Sequence, residues 1–220
     1  MIEPVLPARR EVHQTDAIPW LEAQQRLVAA SVVTSLPDLS ELPGLGFEGW
    51  RRWFEDAAAL VASRVPEDGV AIFFQSDIKH GGAWIDKGTL VARGAERAGM
   101  RLVFHTIVCR LPPGTPTFGR ASYAHLLGYS WPARPPGPAR AMAHVIPDGG
   151  FKPGSKAMGV NACLEACRFI LAETPTRTVV DPFCGWGTVL AVANALGLGA
   201  VGVDLSGKRC RSARKLTIDL

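Results

Sequence analysis

The sequence predicts an α/β fold: a doubly wound, mostly parallel sheet with helices on both faces and a small loop-rich insert. Three observations predict it. Short β-branched or apolar runs alternate with helical periodicity along most of the chain. One apolar strand, Val179-Val180, runs through Asp181-Pro182-Phe183-Cys184-Gly185-Trp186-Gly187-Thr188 into a helix, a turn with two glycines. About twenty residues on, a second strand, Val201-Gly202-Val203, ends in Asp204. At 220 residues, 47% hydrophobic and 20% charged, the chain can bury a real core, and wholesale disorder is excluded.

The elements follow in order. After a Pro- and Arg-containing tail, apolar pairs (Trp20-Leu21, Leu27-Val28) predict a helix over Ala17 to Ala30. Ser31 to Ser35 reads as a strand that stops at the turn Leu36-Pro37-Asp38. Trp50, Phe54, Ala58, Leu60 and Val61 mark a second helix, and Gly69 to Phe74 a buried strand. Leu90 to Ala98 is helical and Arg101 to Cys109 a strand. Pro and Gly crowd Leu111 to Pro153, which reads as an inserted loop region with little regular structure. Helices at Gly159 to Leu171, Val189 to Leu196 and from Ser206 onward alternate with strands at Thr178 to Val180 and Ala200 to Val203.

No run is apolar enough to span a bilayer, and acidic residues near the start argue against secretion, so a cytoplasmic protein is expected. Five cysteines without metal-ligand spacing read as free buried thiols, and no metal is expected. The formal net charge is +4, and it is unevenly placed. Arg110, Arg120, Arg134, Arg140, Lys152 and Lys156 face only Asp148 in one stretch. With Tyr123, Tyr129 and Trp131 interspersed, that composition suits phosphates and unpaired bases.

The glycine turn has a physical reading before any family is considered. Glycines let a ligand approach the backbone, and the following helix offers free N–H groups at the positive end of its dipole. Asp204 at its strand tip can accept hydrogen bonds from two ribose hydroxyls. The dinucleotide pattern G-x-G-x-x-G is not met, because Leu190 occupies its third glycine position.

The same residues resemble the first motif, DPFxGxGT, of amino-methylating S-adenosyl-L-methionine-dependent methyltransferases, complete here from Asp181 to Thr188. It begins too late in the chain for a catalytic half to follow. Upstream, Ser35-Leu36-Pro37-Asp38 is similar to the family's catalytic motif, an acid, Asn or Ser followed by Pro-Pro-aromatic. The order therefore resembles the circularly permuted β-type N4-cytosine and N6-adenine DNA methyltransferases, over about Asp16 to Leu220. The resemblance implies a class I, Rossmann-like domain over 1–220, with a catalytic half (16–110), a basic recognition insert (111–156) and a cofactor half (157–220).

It further implies that Asp181, Pro182, Phe183, Gly185, Gly187, Thr188, Asp204 and Ser206 bind S-adenosyl-L-methionine, with Asp16 near its adenine. Phe151-Lys152-Pro153 and Met158-Gly159 fall where the family supports the methionine moiety. Ser35, Leu36, Pro37 and Asp38 would form the catalytic turn: the Ser35 hydroxyl and the Leu36 carbonyl accept from the target amino group and aim its lone pair at the methyl. Asp77, Arg110, Arg120, Tyr129, Trp131 and Arg134 are the candidate substrate residues.

Asp38 departs from the pattern, since a carboxylate cannot stack on a flipped base as the family's aromatic does. Three readings follow: a base stacked by Phe74, Trp84 or an insert aromatic while Asp38 reads its edge; a substrate that is not a base; or a degenerate site. The expected activity is N-methylation of a base in nucleic acid, RNA slightly before DNA, on the ground that the insert is short. The alternatives are a small-molecule methyltransferase and a catalytically silent cofactor-binding module supporting a partner subunit. A homodimer is a further expectation.

Overall fold

A computed structural model describes residues 9–133 and 142–220. Arg134 and Arg140 lie outside these residues. The chain forms β1 (Arg10–Gln14), α1 (Ala17–Glu22), β2 (Ala30–Thr34), α2 (Gly46–Arg64), β3 (Val70–Gln75), β4 (Ile78–His80), β5 (Ala83–Ile85) and α3 (Lys87–Arg97). It continues with β6 (Arg101–Cys109), β7 (Tyr123–Ser130), β8 (Val145–Ile146), α4 (Val160–Glu173), β9 (Thr178–Asp181), α5 (Thr188–Ala195), β10 (Gly199–Asp204) and α6 (Gly207–Lys215).

Eight strands make one sheet in the order β1-β10-β9-β2-β3-β7-β6-β8, whose first five strands run parallel. β7 is antiparallel to both β3 and β6, so the sheet is α/β, doubly wound and mostly parallel. Val33, Ile72 and Phe74 face a core with α4 and α5, whereas Val32, Ala71 and Phe73 face the opposite core with α2 and α3. Strands buried on both faces explain why β2, β3 and β9 read as near-continuous apolar runs.

Four expectations need correcting. The supposed tail holds edge strand β1, which pairs with β10 from Arg10↔Ala200 to Gln14↔Asp204. Its sequence Arg-Glu-Val-His-Gln has one apolar residue, because an edge strand is held by its backbone and leaves no periodic signature. The first helix stops at Glu22 rather than Ala30; Leu27 is buried through a loop contact, with its N–H donating to the Arg64 carbonyl, while Val28 is exposed. The interval between the strand at Gly69 to Phe74 and the helix at Leu90, given no element above, makes the β4–β5 hairpin around Gly81-Gly82.

The fourth correction bears on function. The stretch from Leu111 to Pro153 contains β7, an interior strand. Gly128 disguises it: a Cβ there would overlap Cε1 of Phe104, so the ring of Phe104 fills the space a side chain would take. Tyr129 is 1% exposed and lies in the core against the Phe73 ring. It pairs with Ala71, near the start of β3, at the sheet end away from the strand tips. The Trp131 indole N–H donates to the Val65 carbonyl at 3.0 Å. Neither Tyr129 nor Trp131 lines either of the two clefts described below.

Candidate active site

The site lies at the carboxyl ends of β9 and β2, where chain connectivity turns to opposite sides of the sheet and leaves a crevice. β9 ends in Asp181, which is 4% exposed. Its Oδ1 accepts from the Thr34 hydroxyl at 2.7 Å and from the Phe183 N–H at 3.1 Å. Burial, the largest influence, raises this carboxyl to about 7 despite those two donors.

The turn that follows is tied to β10. The Cys184 N–H donates to the Val203 carbonyl, and the Gly185 N–H donates to Asp204 Oδ2 at 3.1 Å. Asp204 Oδ1 accepts from the Ser206 N–H at 2.7 Å, and Ser206 caps α6. Gly187 has φ +83°, and a Cβ there would meet Ala213 Cα at 2.6 Å, so only glycine brings α5 this close to α6.

Around this turn is a cavity of about 260 Å³, lined among others by Asp16, Ser35, Asp181, Phe183, Gly185 and Asp204. Pro182 and Thr188 also line it, whereas Gly187 and Ser206 shape it from behind. Asp16 caps α1 through its contact with the Ile18 N–H, which sets its carboxylate at the cavity wall. Thr188 Oγ1 is buried without a hydrogen-bond partner. Met158 lines the same cavity, but Phe151 is exposed and Lys152 lines the neighbouring cleft.

That second cleft, about 600 Å³, shares Ser35, Leu36, Glu41, Lys156 and Ala157 with the first. Ser35 and Leu36 therefore stand at the junction. Among the described residues, neither Ser35 Oγ nor the Leu36 carbonyl has a hydrogen-bond partner, so both are free to accept from a ligand. The Pro37 carbonyl accepts from the Trp50 indole at 3.2 Å, which fixes the turn against α2. Asp38 caps the 3-10 turn Leu39–Glu41: its Oδ1 accepts from the Leu39 N–H at 2.8 Å, and Glu41 closes a capping box. The same carboxylate lies 3.8 Å from Lys87 Nζ. Asp38 is thus held by its own chain and by a lysine that sequence reasoning passed over.

The second cleft is strongly cationic, with Lys79, Lys87, Arg110, Arg120, Lys152 and Lys156 facing Asp38, Glu41 and Asp77. Burial first, then the charge of Arg110, draws the Lys152 ammonium below its ordinary pKa. Asp77 is buried, and its oxygens accept from the Lys87 N–H at 2.9 Å, the Tyr123 hydroxyl at 2.7 Å and His125 Nε2 at 3.2 Å. Burial raises its carboxyl, but those donors outweigh it and hold the group below its usual value. Asp77 braces the cleft rather than presenting itself to it. Asp77, Asp86 and His125 form the metal-capable group found among the described residues, with the Asp86 oxygens already accepting from Thr89. Arg110 and Arg120 line the cleft, and Arg110 donates to Ser76 Oγ at 3.2 Å. His80 is stacked on Phe47, away from this network. All five cysteines are free and buried. No helix among the described residues is long and apolar enough to cross a membrane.

Sequence reasoning missed Lys87 and Arg209. Lys87 carried one signal: it opens the helix capped by Asp86.

No family model matches the chain, and no curated protein matches it by sequence. Solved structures do. TTHA0409 of Thermus thermophilus, provisionally described as a DNA modification methylase and solved in complex with S-adenosyl-L-methionine, is 20% identical with a TM-score of 0.71. That match covers 94% of this chain and 93% of the other. The complex of M1.HpyAVI with S-adenosylmethionine is 15% identical, TM-score 0.66, over 94% and 98% of the two chains. The cytosine-N4-specific PvuII DNA methyltransferase is 14% identical, TM-score 0.70, over 97% and 88%. Across nearly its whole length, this chain has the fold of these three proteins.

Proposed function

We propose that the chain is an S-adenosyl-L-methionine-dependent N-methyltransferase acting on a base in nucleic acid, with DNA as its first substrate. The observation that carries this reading is the junction: two cavities meet at Ser35 and Leu36, whose acceptors are unfilled. The residues of the first cavity suit the cofactor. Asp204 stands at a strand tip with lone pairs left for ribose hydroxyls, Asp16 borders the adenine end, and the orphaned Thr188 hydroxyl awaits a polar partner. When bound, the cofactor supplies an electrophilic methyl group on a sulfonium.

The chain's own residues then have positioning work. The Ser35 hydroxyl and the Leu36 carbonyl accept from the substrate amino group and direct its nitrogen lone pair toward the first cavity. Holding two reactants in line replaces a bimolecular encounter, the largest advantage available to a single displacement. The cationic second cleft holds the phosphates that flank the base. The preference for DNA over RNA follows two neighbours, TTHA0409 and the PvuII enzyme, whose descriptions name DNA.

The test is transfer of labelled methyl from S-adenosyl-L-methionine to separate pools of DNA, tRNA, rRNA and small metabolites from a strain lacking the gene. Label is expected in DNA, and Ser35→Ala is expected to reduce it strongly. Label confined to small metabolites would replace the base substrate. Cofactor binding with no label in any pool would make the chain a silent supporting subunit.

A further inference from the structure

The floor of the second cleft contains polar groups that packing does not explain. Gln75 ends β3 after Val, Ala, Ile, Phe and Phe, and is 1% exposed. Neither its carboxamide oxygen nor its nitrogen has a hydrogen-bond partner. An unmade buried hydrogen bond is costly, and a leucine at this strand end would spare the fold that cost. Lys87, at the start of α3, is 4% exposed. Its ammonium lies 3.8 Å from Asp38 and donates no hydrogen bond among the described residues. Burial draws it below its ordinary pKa, and Arg110 adds to this against the opposing charges of Asp38, Asp77 and Glu41. Both side chains line the cleft that begins at Ser35.

The surroundings hold Lys87 in place. The Asp77 carboxylate accepts the Lys87 N–H and is itself fixed by Tyr123 and His125. His105 Nε2 in turn lies 3.0 Å from His125 Nδ1. This network leaves the Lys87 ammonium no freedom to retreat with its helix end.

We propose that Lys87 and Gln75 form the recognition edge of the substrate cleft, reading the base by hydrogen bonds where the aromatic of related catalytic motifs is replaced by Asp38. The inference rests on the methyltransferase reading above. An ammonium only donates, so Lys87 takes an acceptor on the base, a ring nitrogen or carbonyl oxygen close to the methylated amino group. The carboxamide offers one donor and one acceptor side and pairs with a neighbouring stretch of the same edge. The Asp38 carboxylate, which also lines the cleft, opposes the effect of burial on the Lys87 ammonium. The pair thus specifies a nitrogen heterocycle with acceptors beside its amino group.

The test uses the full chain with Lys87→Met and Gln75→Leu, measuring Tm, S-adenosyl-L-methionine affinity by calorimetry, and methyl transfer to unmethylated DNA. Both variants are expected to melt at or above the wild-type temperature and to bind cofactor unchanged. Their kcat/KM should fall by about 10- to 100-fold, more for Lys87→Met because its lost hydrogen bond is charged. Transfer within about twofold of wild type in both variants, or a parallel loss of Tm, cofactor affinity and turnover, would overturn the proposal. If the wild type itself transfers no methyl, the methyltransferase reading falls separately. The edge is then tested by thermal shift with cytidine and adenosine: stabilisation of wild type but not the variants supports it, and equal or absent shifts overturn it.

Discussion

Asp181→Asn should make the protein more stable above neutral pH and flatten its pH dependence. In the unfolded chain this carboxyl ionises near 3.8; in the fold, burial postpones ionisation to about 7. Between those two values the unfolded state has released a proton that the folded state still holds. Stability therefore falls as pH rises through that window, and the full penalty applies above the folded value. A displacement of about three units at about 1.4 kcal/mol each gives about 4 kcal/mol. Asparagine keeps an oxygen to accept from the Thr34 hydroxyl and the Phe183 N–H and removes the charge. For a chain of this length, the gain at about pH 8 corresponds to a Tm rise of about 8–16 °C, shrinking to nothing near about pH 4. Calorimetric melting of both proteins from about pH 4 to about pH 9 reads the difference directly. A variant that melts lower than wild type by the same margin at every pH would refute the reasoning, since it would mean that Asp181 is already ionised and compensated in the fold. On the proposed function, the same substitution weakens cofactor binding, so the cavity holds a charge at the expense of the fold.

Three other outcomes follow from the geometry. Gly187→Ala combines a left-handed backbone with an overlap against Ala213 and should cost at least about 2 kcal/mol, seen as a lowered Tm. Trp131→Phe removes the bond to the Val65 carbonyl and should cost about 1–2 kcal/mol while leaving kcat/KM for methyl transfer within about twofold; a large loss of turnover would return Trp131 to the substrate residues. If DNA is the substrate, Arg110→Ala and Lys152→Ala should each weaken binding across all sequences and reduce the slope of log affinity against log salt by about one, measured by fluorescence anisotropy.

The half of the sheet around Asp181 to Asp204 was legible because its signals are linear: an apolar strand, a glycine turn, a helix and a second strand follow one another without interruption. β7 was not, because the residue that lets it pass between its neighbours is Gly128, whose missing side chain belongs in effect to Phe104, and a strand containing His and Gly among prolines reads as loop. The same misreading sent Tyr129 and Trp131 toward substrate. A basic, aromatic composition does not distinguish a ring that faces a cleft from one that closes a core. Arg110 and Arg120, singled out in the basic insert, do line the cleft. Lys87 could not be singled out, since its position depends on Asp77 reaching across to the first N–H of α3, a contact between residues ten apart. Asp38 illustrates the converse: its position in the motif was readable, but its engagement with Leu39, Glu41 and Lys87 was not.

The edge strand β1 has a consequence for synthesis on the ribosome. Arg10 to Gln14 are made well before their partner in the sheet, Ala200 to Asp204. Arg10 also clasps Asn194 and the carbonyls of Ala213 and Leu216. At about 5–20 residues per second, the strand waits on the order of 10–40 s with its hydrogen bonds open to solvent. Until then, the Asp16–Ile18 wall has no strand to hang from, and the cavity beside Asp204 is unfinished. A nascent chain can assemble β2, β3, β6 and β7 while it is being made, but the side of the sheet with Asp16 and Asp204 closes only when β10 arrives. One register, between β1 and β10, thus decides when the cavity beside Asp204 is complete.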